Sequence, residues 1–540
     1  MLNLNQINEE TEKNNDSDND EIIKKVFSTD LLVNEIAKFM TFKEKKEFFS
    51  VNKRLNEFYR KSITKISTKK ILSSPEIAER FCNLKTLKLS WGFSANLCFL
   101  RKPYYFGLEN LIIRGNKYED IIAVEKLTNL KSLILNGNKI TNIDFIPNLN
   151  KLNFLELGNN LINDLTPLTK LLFLESLSLQ GCGLTNLDIL KNKNFKSLKK
   201  LYIGQNDLED YSFLGNLVNL TVLNVYQSHF NLENLKIIKN PEKITELNLG
   251  ENVLELSSLS PLYTFRNIKN LFLYHTNLSK IDFLDNACFE NLEEINLGNN
   301  KIEDFSPLNK LKHMKSLNLY GNNIEDIYFL ENENFYKIER LDLGNNQIDD
   351  CSILSFFYKL KSLNLYHNKI FDCSCFNTCK FAEKIEEFNI GQNPIDSAEF
   401  LEKFKNLKKL NLYNCELKDI SFLEYKSLQN LTKLNLGKNQ IKDASPIINL
   451  KKLKKLILSD NNIENISFLE DKNSLIKEIN LSKNCIYDIK PLLGLEKLEI
   501  VNLKDQGLAL NDFHKNVILS LVEEIKKNSL ICKENYIYYN

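Results

Sequence analysis

An apolar phrase, LxxLxL, recurs through most of this 540-residue chain. Its central residue returns mostly at intervals of 22 or 24 positions, at Leu87, Leu111, Leu133, Leu155, Leu177, Leu201, Leu223, Leu247, Leu271, Ile295, Leu317, Leu341, Leu363, Phe388, Leu410, Leu434, Leu456, Ile479 and Val501. A unit this short cannot bury its apolar face alone, so neighbouring units must stack into one continuous core. The repeat therefore predicts a solenoid of nineteen rungs rather than a series of globular domains.

A polar residue follows these anchors at the fifth position. It is usually asparagine, at Asn116, Asn138, Asn160, Asn206, Asn252, Asn300, Asn322, Asn346, Asn368, Asn393, Asn439, Asn461 and Asn484. The exceptions are Cys182, Ser228, Thr276, Cys415 and Gln506, which also form hydrogen bonds. Because buried backbone groups need partners where the chain turns inward, we expect this column to bind backbone N–H and C=O groups.

The combined pattern, L-x-x-L-x-L-x-x-N/C-x-L, resembles the leucine-rich repeat over residues 84–508. The S/T-P-L segments at Thr166–Leu168, Ser306–Leu308 and Ser445–Ile447 are similar to the short repeats of internalins and of a phosphatase-regulating leucine-rich protein. The resemblance implies an α/β solenoid, a horseshoe with a parallel concave sheet and a convex side of short turns or 3-10 segments. It also implies a binding protein rather than an enzyme.

Short and long units alternate, as in the steps from Ile295 to Leu317, Leu341 and Leu363. The longer unit carries an inserted N-x-x-F, for example Asn332 to Phe335. The repeating structure is therefore predicted to be a pair of about 46 residues.

The residues between and after the two leucines of LxL are predicted to face the concave surface. The first of these columns is mainly asparagine and the other alternates glycine with tyrosine. Tyrosine rings and amides suit a protein partner, but the rings could equally just cover the neighbouring glycines. The predicted partner-binding residues are the tyrosines and the places where the pattern breaks: Tyr226, Phe272, Tyr274, His275, Tyr320, Arg340, Asp342, Tyr366, His367, Tyr413 and Ile457.

Residues 21–63 are predicted to form an amphipathic helical module before the repeats. The segment resembles the F-box through Glu35-Ile36, Phe39-Met40, Val51 and Lys53-Arg54, although the leading Leu-Pro and the Trp of that motif are replaced. The resemblance implies contact with the adaptor of a cullin-type ubiquitin ligase through Leu32, Ile36, Phe39, Met40 and Val51. The alternative is a helical cap that seals the first rung.

The remaining segments are terminal. Residues 1–20 are acidic and rich in asparagine, which predicts a disordered tail, and residues 64–83 are predicted to be a linker or N-terminal cap. Residues 509–540 are predicted to contain a C-terminal capping helix and tail, because Phe513, Val517, Leu521 and Ile525 recur at four-residue spacing.

Composition narrows the class of function. With 71 Lys and Arg against 70 Asp and Glu the net charge is +1, so no partnership with nucleic acid or membrane is predicted. Eleven cysteines without paired spacing and no signal-like N-terminus predict free thiols in the cytoplasm, with the nucleus also possible. Without nucleotide-binding or hydrolase motifs, and with Cys373, Cys375 and Cys379 at core-like positions, we expect no catalysis, cofactor or metal.

The sequence thus predicts recognition of a protein on the concave face. The leading hypothesis is an F-box-like substrate receptor of a ubiquitin ligase. The alternative is a non-catalytic scaffold or regulatory subunit, for example one that binds a phosphatase.

Overall fold

The structure is a computed structural model that describes residues 65–68, 83–89, 96–254, 259–471, 473–506 and 537–538. The F-box-like module with its five predicted adaptor-binding residues lies outside the described residues, and so does the helix predicted after residue 509. Over the described ranges the backbone forms strands, 3-10 segments and turns, and contains no α-helix.

All nineteen anchors lie in strands of one parallel sheet. The strands in chain order are β1 Lys65–Thr68, β2 Thr86–Leu89, β3 Asn110–Ile113, β4 Ser132–Ile134, β5 Phe154–Glu156, β6 Ser176–Ser178, β7 Lys200–Tyr202, β8 Val222–Asn224, β9 Glu246–Asn248, β10 Asn270–Phe272, β11 Glu294–Asn296, β12 Ser316–Asn318, β13 Arg340–Asp342, β14 Ser362–Asn364, β15 Glu387–Asn389, β16 Lys409–Asn411, β17 Lys433–Asn435, β18 Lys455–Ile457, β19 Glu478–Asn480, β20 Ile500–Asn502 and β21 Ile537–Tyr538. Each strand pairs with the next along the chain, so that Leu317 stands opposite Leu341 and Leu341 opposite Leu363. The edge strands β1 and β21 extend the sheet beyond the predicted rungs.

The core is one continuous column of aliphatic side chains behind the sheet. Leu317 and Leu319 are 1% and 0% exposed, and the same two positions are buried in their neighbours. Because successive strand residues point to opposite faces, burying both leucines of LxL turns the residues between them toward the concave surface. The predicted orientation of the strands is confirmed.

The asparagine column closes the turn after each strand. Asn346 Nδ2 donates to the carbonyl oxygens of Leu319, Leu343 and Gly344 at 3.1, 2.9 and 3.1 Å. Its Oδ1 accepts the N–H groups of Asn322 and Ile324 from the preceding rung. One buried amide thus serves the backbone of two rungs.

The exceptions in this column keep the donor role. Ser228 Oγ and Thr276 Oγ1 each donate to the carbonyl three residues earlier, at 2.6 and 2.7 Å. Cys182 and Cys415 direct their thiols to a carbonyl of the preceding rung at 3.5 Å, and Gln506 Nε2 reaches Leu481 O at 2.8 Å. The predicted hydrogen bonding is confirmed for all five.

The residue before this column has a left-handed backbone in rung after rung, as in Asn299 (φ 53°), Asn345 (φ 53°) and Gly321 (φ 66°). Glycine and asparagine tolerate this conformation best and fill several of these positions, whereas other rungs place Gln, Glu, His, Lys or Asp there.

The convex side consists of 3-10 segments, as the resemblance implied. They span Leu97–Arg101, Pro103–Tyr105, Ile122–Lys126, Ile146–Asn148, Thr166–Lys170, Asp188–Lys191, Lys193–Ser197, Ser212–Asn216, Leu232–Ile237, Pro241–Lys243, Ser260–Thr264, Asp282–Asp285, Ala287–Phe289, Ser306–Lys310, Tyr328–Leu330, Phe335–Lys337, Ser352–Phe356, Ser374–Asn377, Glu399–Lys403, Ser421–Glu424, Lys426–Asn430, Ser445–Asn449, Ser467–Leu469 and Lys490–Gly494. In the longer units the inserted phenylalanine fills the space under a second segment, and Phe195 and Phe335 are both fully buried.

Among the described residues, no helix has the length and hydrophobicity needed to cross a membrane.

Candidate functional site

The predicted tyrosines form a row along the concave side, each two residues beyond the end of its strand. This tyrosine row comprises Tyr226, Tyr274, Tyr320, Tyr366 and Tyr413, all half-buried. Each ring lies against a neighbouring glycine: a methyl group built on Gly250 would be 2.3 Å from Cε1 of Tyr274, and one on Gly344 would be 2.9 Å from Cδ2 of Tyr320. The glycines therefore serve as seats for the rings.

The direction in which the rings lean changes within the row. Tyr226 and Tyr274 lean toward the preceding rung, over Gly204 and Gly250. Tyr320, Tyr366 and Tyr413 lean toward the following rung, over Gly344, Gly391 and Gly437. The change occurs at Gly298, where the atoms nearest to a built methyl group are Asn318 Oδ1, Asn296 Oδ1 and Tyr320 O, at 3.1 to 3.3 Å.

Burial raises the pKa of the Tyr226, Tyr274 and Tyr366 phenols. These hydroxyl groups therefore stay neutral at physiological pH and can donate a hydrogen bond. A row of neutral, seated rings offers apolar area together with polar tips, the combination that suits a protein interface.

The concave asparagine column has a structural role that the sequence analysis did not identify. In strand after strand the side-chain oxygen accepts the N–H group two residues later, as Asn318 Oδ1 does from Tyr320 at 2.9 Å and Asn435 Oδ1 from Gly437 at 3.0 Å. This local hydrogen bond turns the chain out of each strand. It does not use the Nδ2 group of the amide, which in Asn364 donates to Asp342 Oδ1.

Three of the predicted pattern breaks follow the same backbone rules as the residues they replace. Asp342 Oδ1 accepts from Gly344 N at 3.0 Å and from Asn364 Nδ2 at 2.8 Å, and burial raises the pKa of this carboxyl. His275 and His367 occupy the left-handed position, with φ of 54° and 56°. Histidine is one of the residues enriched in that conformation, so backbone geometry accounts for both.

Arg340 lies at the start of β13 and is exposed. Its Nη2 stands 3.7 Å from Glu294 Oε2, and its Nε donates to Ser316 Oγ at 3.4 Å. The guanidinium thus spans β11 to β13 on the concave face.

The remaining breaks, Phe272 and Ile457, are half-buried on the same face. Ile457 lines a concave cavity of about 360 Å³ over β14 to β18. The sequence analysis missed three other lining residues, Lys409, Lys433 and Lys455, here called the lysine run. Reading the column before each anchor would have found them.

Several aspartates on the convex side cap turns. Asp304, Asp326 and Asp350 each accept the N–H group two residues later through Oδ1, at 2.8, 2.6 and 2.8 Å. These hydrogen bonds lower the pKa of Asp304 and Asp350. Such carboxylates stay ionised at neutral pH and are fitted to hold a 3-10 segment, not to transfer protons.

The cysteine cluster lies within the core and its edge. Cys373 and Cys379 are buried and Cys375 is half-buried, with its Sγ 2.9 Å from Cys351 Sγ. His367 Nδ1 instead contacts Asn345 Oδ1 at 2.8 Å. Within the described ranges, no three His, Cys, Asp or Glu side chains gather in a metal-binding arrangement.

Comparison with known proteins identifies the repeats. A family model described as Leucine Rich repeats (2 copies) matches residues 128–170, 290–332, 383–425 and 429–471. These segments are leucine-rich repeats. A search of curated proteins gave no match.

Solved structures of leucine-rich repeat proteins resemble this chain. An internalin from Listeria monocytogenes is 27% identical, over 70% of this chain and 87% of its own, with a TM-score of 0.35. The TLR13–ssRNA13 complex gives 26% identity and a TM-score of 0.51 over 79% of this chain and 64% of the TLR13 chain. A leucine-rich repeat protein of Leptospira interrogans is 22% identical over 76% of this chain and 94% of its own, with a TM-score of 0.35.

The matched repeats and the parallel sheet together make the fold a leucine-rich repeat solenoid with an open concave sheet. Such repeats typically serve protein–protein interaction. The predicted concave residues share one face of the sheet, whereas the predicted adaptor-binding residues lie outside the described part of the chain.

Proposed function

We propose that this chain is a non-catalytic binding protein that holds a protein partner on the concave face of its leucine-rich repeats. The observation that carries the proposal is the seating of the tyrosine row on glycines. A ring held against backbone has already lost much of its rotational freedom, so a partner meets it at a smaller entropic cost.

The charge of the chain favours protein over nucleic acid as the partner. The solved TLR13 complex contains an RNA, but the net charge here is +1. The concave strands of this chain also carry Glu246, Glu294, Glu387 and Glu478. A phosphate backbone would require a more basic face.

Site-specific photocrosslinking in the source cells tests the proposal. A crosslinking amino acid replaces Tyr320 or Tyr366 on the concave face, or Tyr328, which is 55% exposed, as the control. We expect the same protein to crosslink at Tyr320 and Tyr366 but not at Tyr328. Once purified, that partner should lose at least tenfold in affinity with Tyr320→Ala and none with Tyr328→Ala.

Three results would contradict this proposal: crosslinks confined to Tyr328, crosslinks to RNA alone, or an affinity that does not change with Tyr320→Ala.

A second, more specific proposal adds the ubiquitin-ligase role. It is supported by the order and spacing of Glu35-Ile36, Phe39-Met40, Val51 and Lys53-Arg54. In this version residues 21–63 bind a cullin-ligase adaptor while the concave face selects the substrate. Without such an adaptor, the chain is a scaffold or regulatory subunit, for example of a phosphatase.

The two versions separate in a pull-down of the full chain and of a variant with Ile36→Asp and Val51→Asp. If the chain is a ligase receptor, the parent retains a cullin adaptor and the variant loses it, with unchanged circular dichroism. If the parent retains no adaptor, the ligase version is wrong and the scaffold or regulatory-subunit version stands.

A further inference from the structure

The lysine run places three like charges side by side on the concave face. Lys409 and Lys433 are directly opposite each other on β16 and β17, and Lys433 and Lys455 on β17 and β18. Neighbouring strands stand about 4.8 Å apart, and like charges directly opposite each other are destabilising.

The adjacent column shows how the repeats otherwise arrange charge. This column stands one residue before each strand. In it, Glu293 accepts from Lys269 and Lys315. The other ion pairs of the column are Glu339 with Lys361, Glu386 with Lys408 and Glu499 with Lys477. Opposite charges alternate there from Lys269 to Lys408, and the column then continues with Thr432, Lys454 and Lys477. The lysine run departs from that alternation, and departures without a local structural gain are expected at functional sites.

Only the outer two members of the run have acidic neighbours. Lys409 pairs with Glu387, and Lys455 Nζ lies 2.6 Å from Glu478 Oε2. Both ammonium groups therefore turn away from the centre of the run. Among the described residues, no carboxylate lies within ion-pairing distance of Lys433.

The surroundings of Lys433 supply further donors. Asn411 Oδ1 accepts from Tyr413 N at 3.1 Å and Asn435 Oδ1 accepts from Gly437 N at 3.0 Å. With both oxygens engaged, the amide donors of these side chains face the concave cavity of about 360 Å³. An ammonium group beside two amide donors suits a carboxylate.

Ile457 lines the same cavity, on the strand next to Lys433. It replaces asparagine in its column, so one wall of the cavity is apolar. The cavity thus combines a cationic centre, two amide donors and an apolar wall. Its one lining carboxylate, Glu387, is paired with Lys409.

We infer that this cavity is a subsite for an acidic side chain of an extended partner segment, with a large apolar side chain of the same segment against Ile457. The inference rests on the proposed function and specifies the chemistry of the partner. An acidic residue in the cavity would neutralise Lys433 and relieve the repulsion within the lysine run.

Selection from a displayed library of random 12-residue peptides against the full chain tests the inference. We expect selected peptides to carry Asp or Glu next to a large apolar residue. Lys433→Glu should lower the affinity for a selected synthetic peptide at least tenfold. Lys454→Glu is the matched control, because it makes the same charge change immediately before β18, outside the cavity. It should lower the affinity for the peptide threefold or less. A peptide with its acid changed to Lys should regain affinity for Lys433→Glu.

Equal losses of peptide affinity with Lys433→Glu and Lys454→Glu would indicate a general electrostatic attraction and overturn the subsite. Selected peptides without an acidic residue would also overturn it. Thermal unfolding of both variants confirms that they remain folded, and Lys433→Ala provides a milder second variant. A dimer of the chain that Lys433→Glu dissociates would assign the cavity to a second copy and overturn the inference.

The outcomes for the subsite and for the proposed function are separable. If peptides lose affinity with Tyr320→Ala and Tyr366→Ala but not with Lys433→Glu, the subsite is wrong and the concave binding face stands. If the library yields no peptide bound to the concave face, the subsite is wrong, and crosslinking at Tyr320 decides the proposed function independently.

Discussion

At the scale of single residues, the concave face combines structural and binding roles in the same columns. The concave asparagines hold turns through Oδ1, and the tyrosines cover glycine backbone. These contacts account for the regular recurrence of both columns, and the same contacts hold the rings in place for a partner. The lysine run differs, because no described contact stabilises its central member.

The buried asparagine column makes the first prediction. Asn346→Ala removes three donor and two acceptor contacts with the backbone of two rungs. Leaving such groups buried and unpaired should cost about 3 kcal/mol of unfolding free energy. Asn318→Ala removes a single contact on the concave face and should cost about 1 kcal/mol. Urea denaturation measures both, and equal costs would contradict the two-rung role.

The glycine seats make a second prediction. Gly250→Ala should displace the Tyr274 ring, because the added methyl group would lie 2.3 Å from Cε1. Gly298→Ala is the control, since its nearest contacts are oxygens at 3.1 Å or more. We expect about 1 kcal/mol of destabilisation for Gly250→Ala and less for the control. In a Tyr274→Ala background the cost of Gly250→Ala should disappear, and a cost that persists would contradict the seating.

At the scale of elements, many convex segments share two features, a capping aspartate before the segment and, in several longer units, a buried phenylalanine. Both occur at equivalent positions in several rungs, which fits their local role.

The inserted phenylalanine makes the third prediction. Phe335 is fully buried, so Phe335→Ala should cost about 4 kcal/mol through the cavity it leaves. Phe371 is 62% exposed, and Phe371→Ala should cost less than about 1 kcal/mol. Thermal or urea unfolding compares the two, and similar values would show that the insertion packs loosely.

The capping aspartates make the fourth prediction, which concerns pH. Hydrogen bonds from the Ser212 side chain and backbone lower the pKa of Asp210 to about 2. A carboxyl with a lower pKa in the folded state contributes stability above its unfolded pKa near 3.8, and that stability is lost as the pH falls from about 4 to 2. Asp210→Asn keeps an acceptor for Ser212 N but does not titrate.

The urea midpoint of the Asp210→Asn variant should therefore fall less steeply between pH 4 and pH 2 than that of the parent. Asp285→Asn on another convex segment is the control, and identical slopes for Asp210→Asn and the parent would contradict the capping role.

The sequence was sufficient to predict the nineteen rungs from β2 to β20 and the role of the asparagine column, because a period of mostly 22 or 24 residues leaves one way to align LxxLxL. The edge strands β1 and β21 lie outside that pattern. The site was harder to predict. Which glycine a ring leans toward depends on packing between rungs. The lack of an acidic partner for Lys433 among the described residues depends on the same packing. The left-handed backbone at His275 and His367 is not readable from the sequence, and their role in binding a partner stays a prediction.

At the scale of the whole molecule, each rung contacts its neighbours and stability is shared along the stack. Thiols distributed through the repeats make the fifth prediction. Cys98 and Cys485 are exposed, whereas Cys288 and Cys415 are buried with pKa values raised by burial to about 11 and about 12. Iodoacetamide should modify the exposed pair first, and the buried thiols only as fast as their rungs open.

Mass spectrometry of alkylated peptides over time measures these rates. Stabilising the stack with osmolyte should slow Cys288 and Cys415 but not Cys98 or Cys485. Equal rates for all four would contradict the rung-by-rung burial.

The recurrence of identical strands within one in-register sheet has an evolutionary consequence. Strands β12 and β14 both read Ser-Leu-Asn, and residues 317–362 form one complete short-and-long pair. Unequal recombination that removes those residues would join Ser316 to Leu363 and restore the same strand, with the anchor column and the alternation intact. A gene for such a chain can lose or gain binding surface in whole pairs of repeat units without disturbing the strand register of the sheet that supports it.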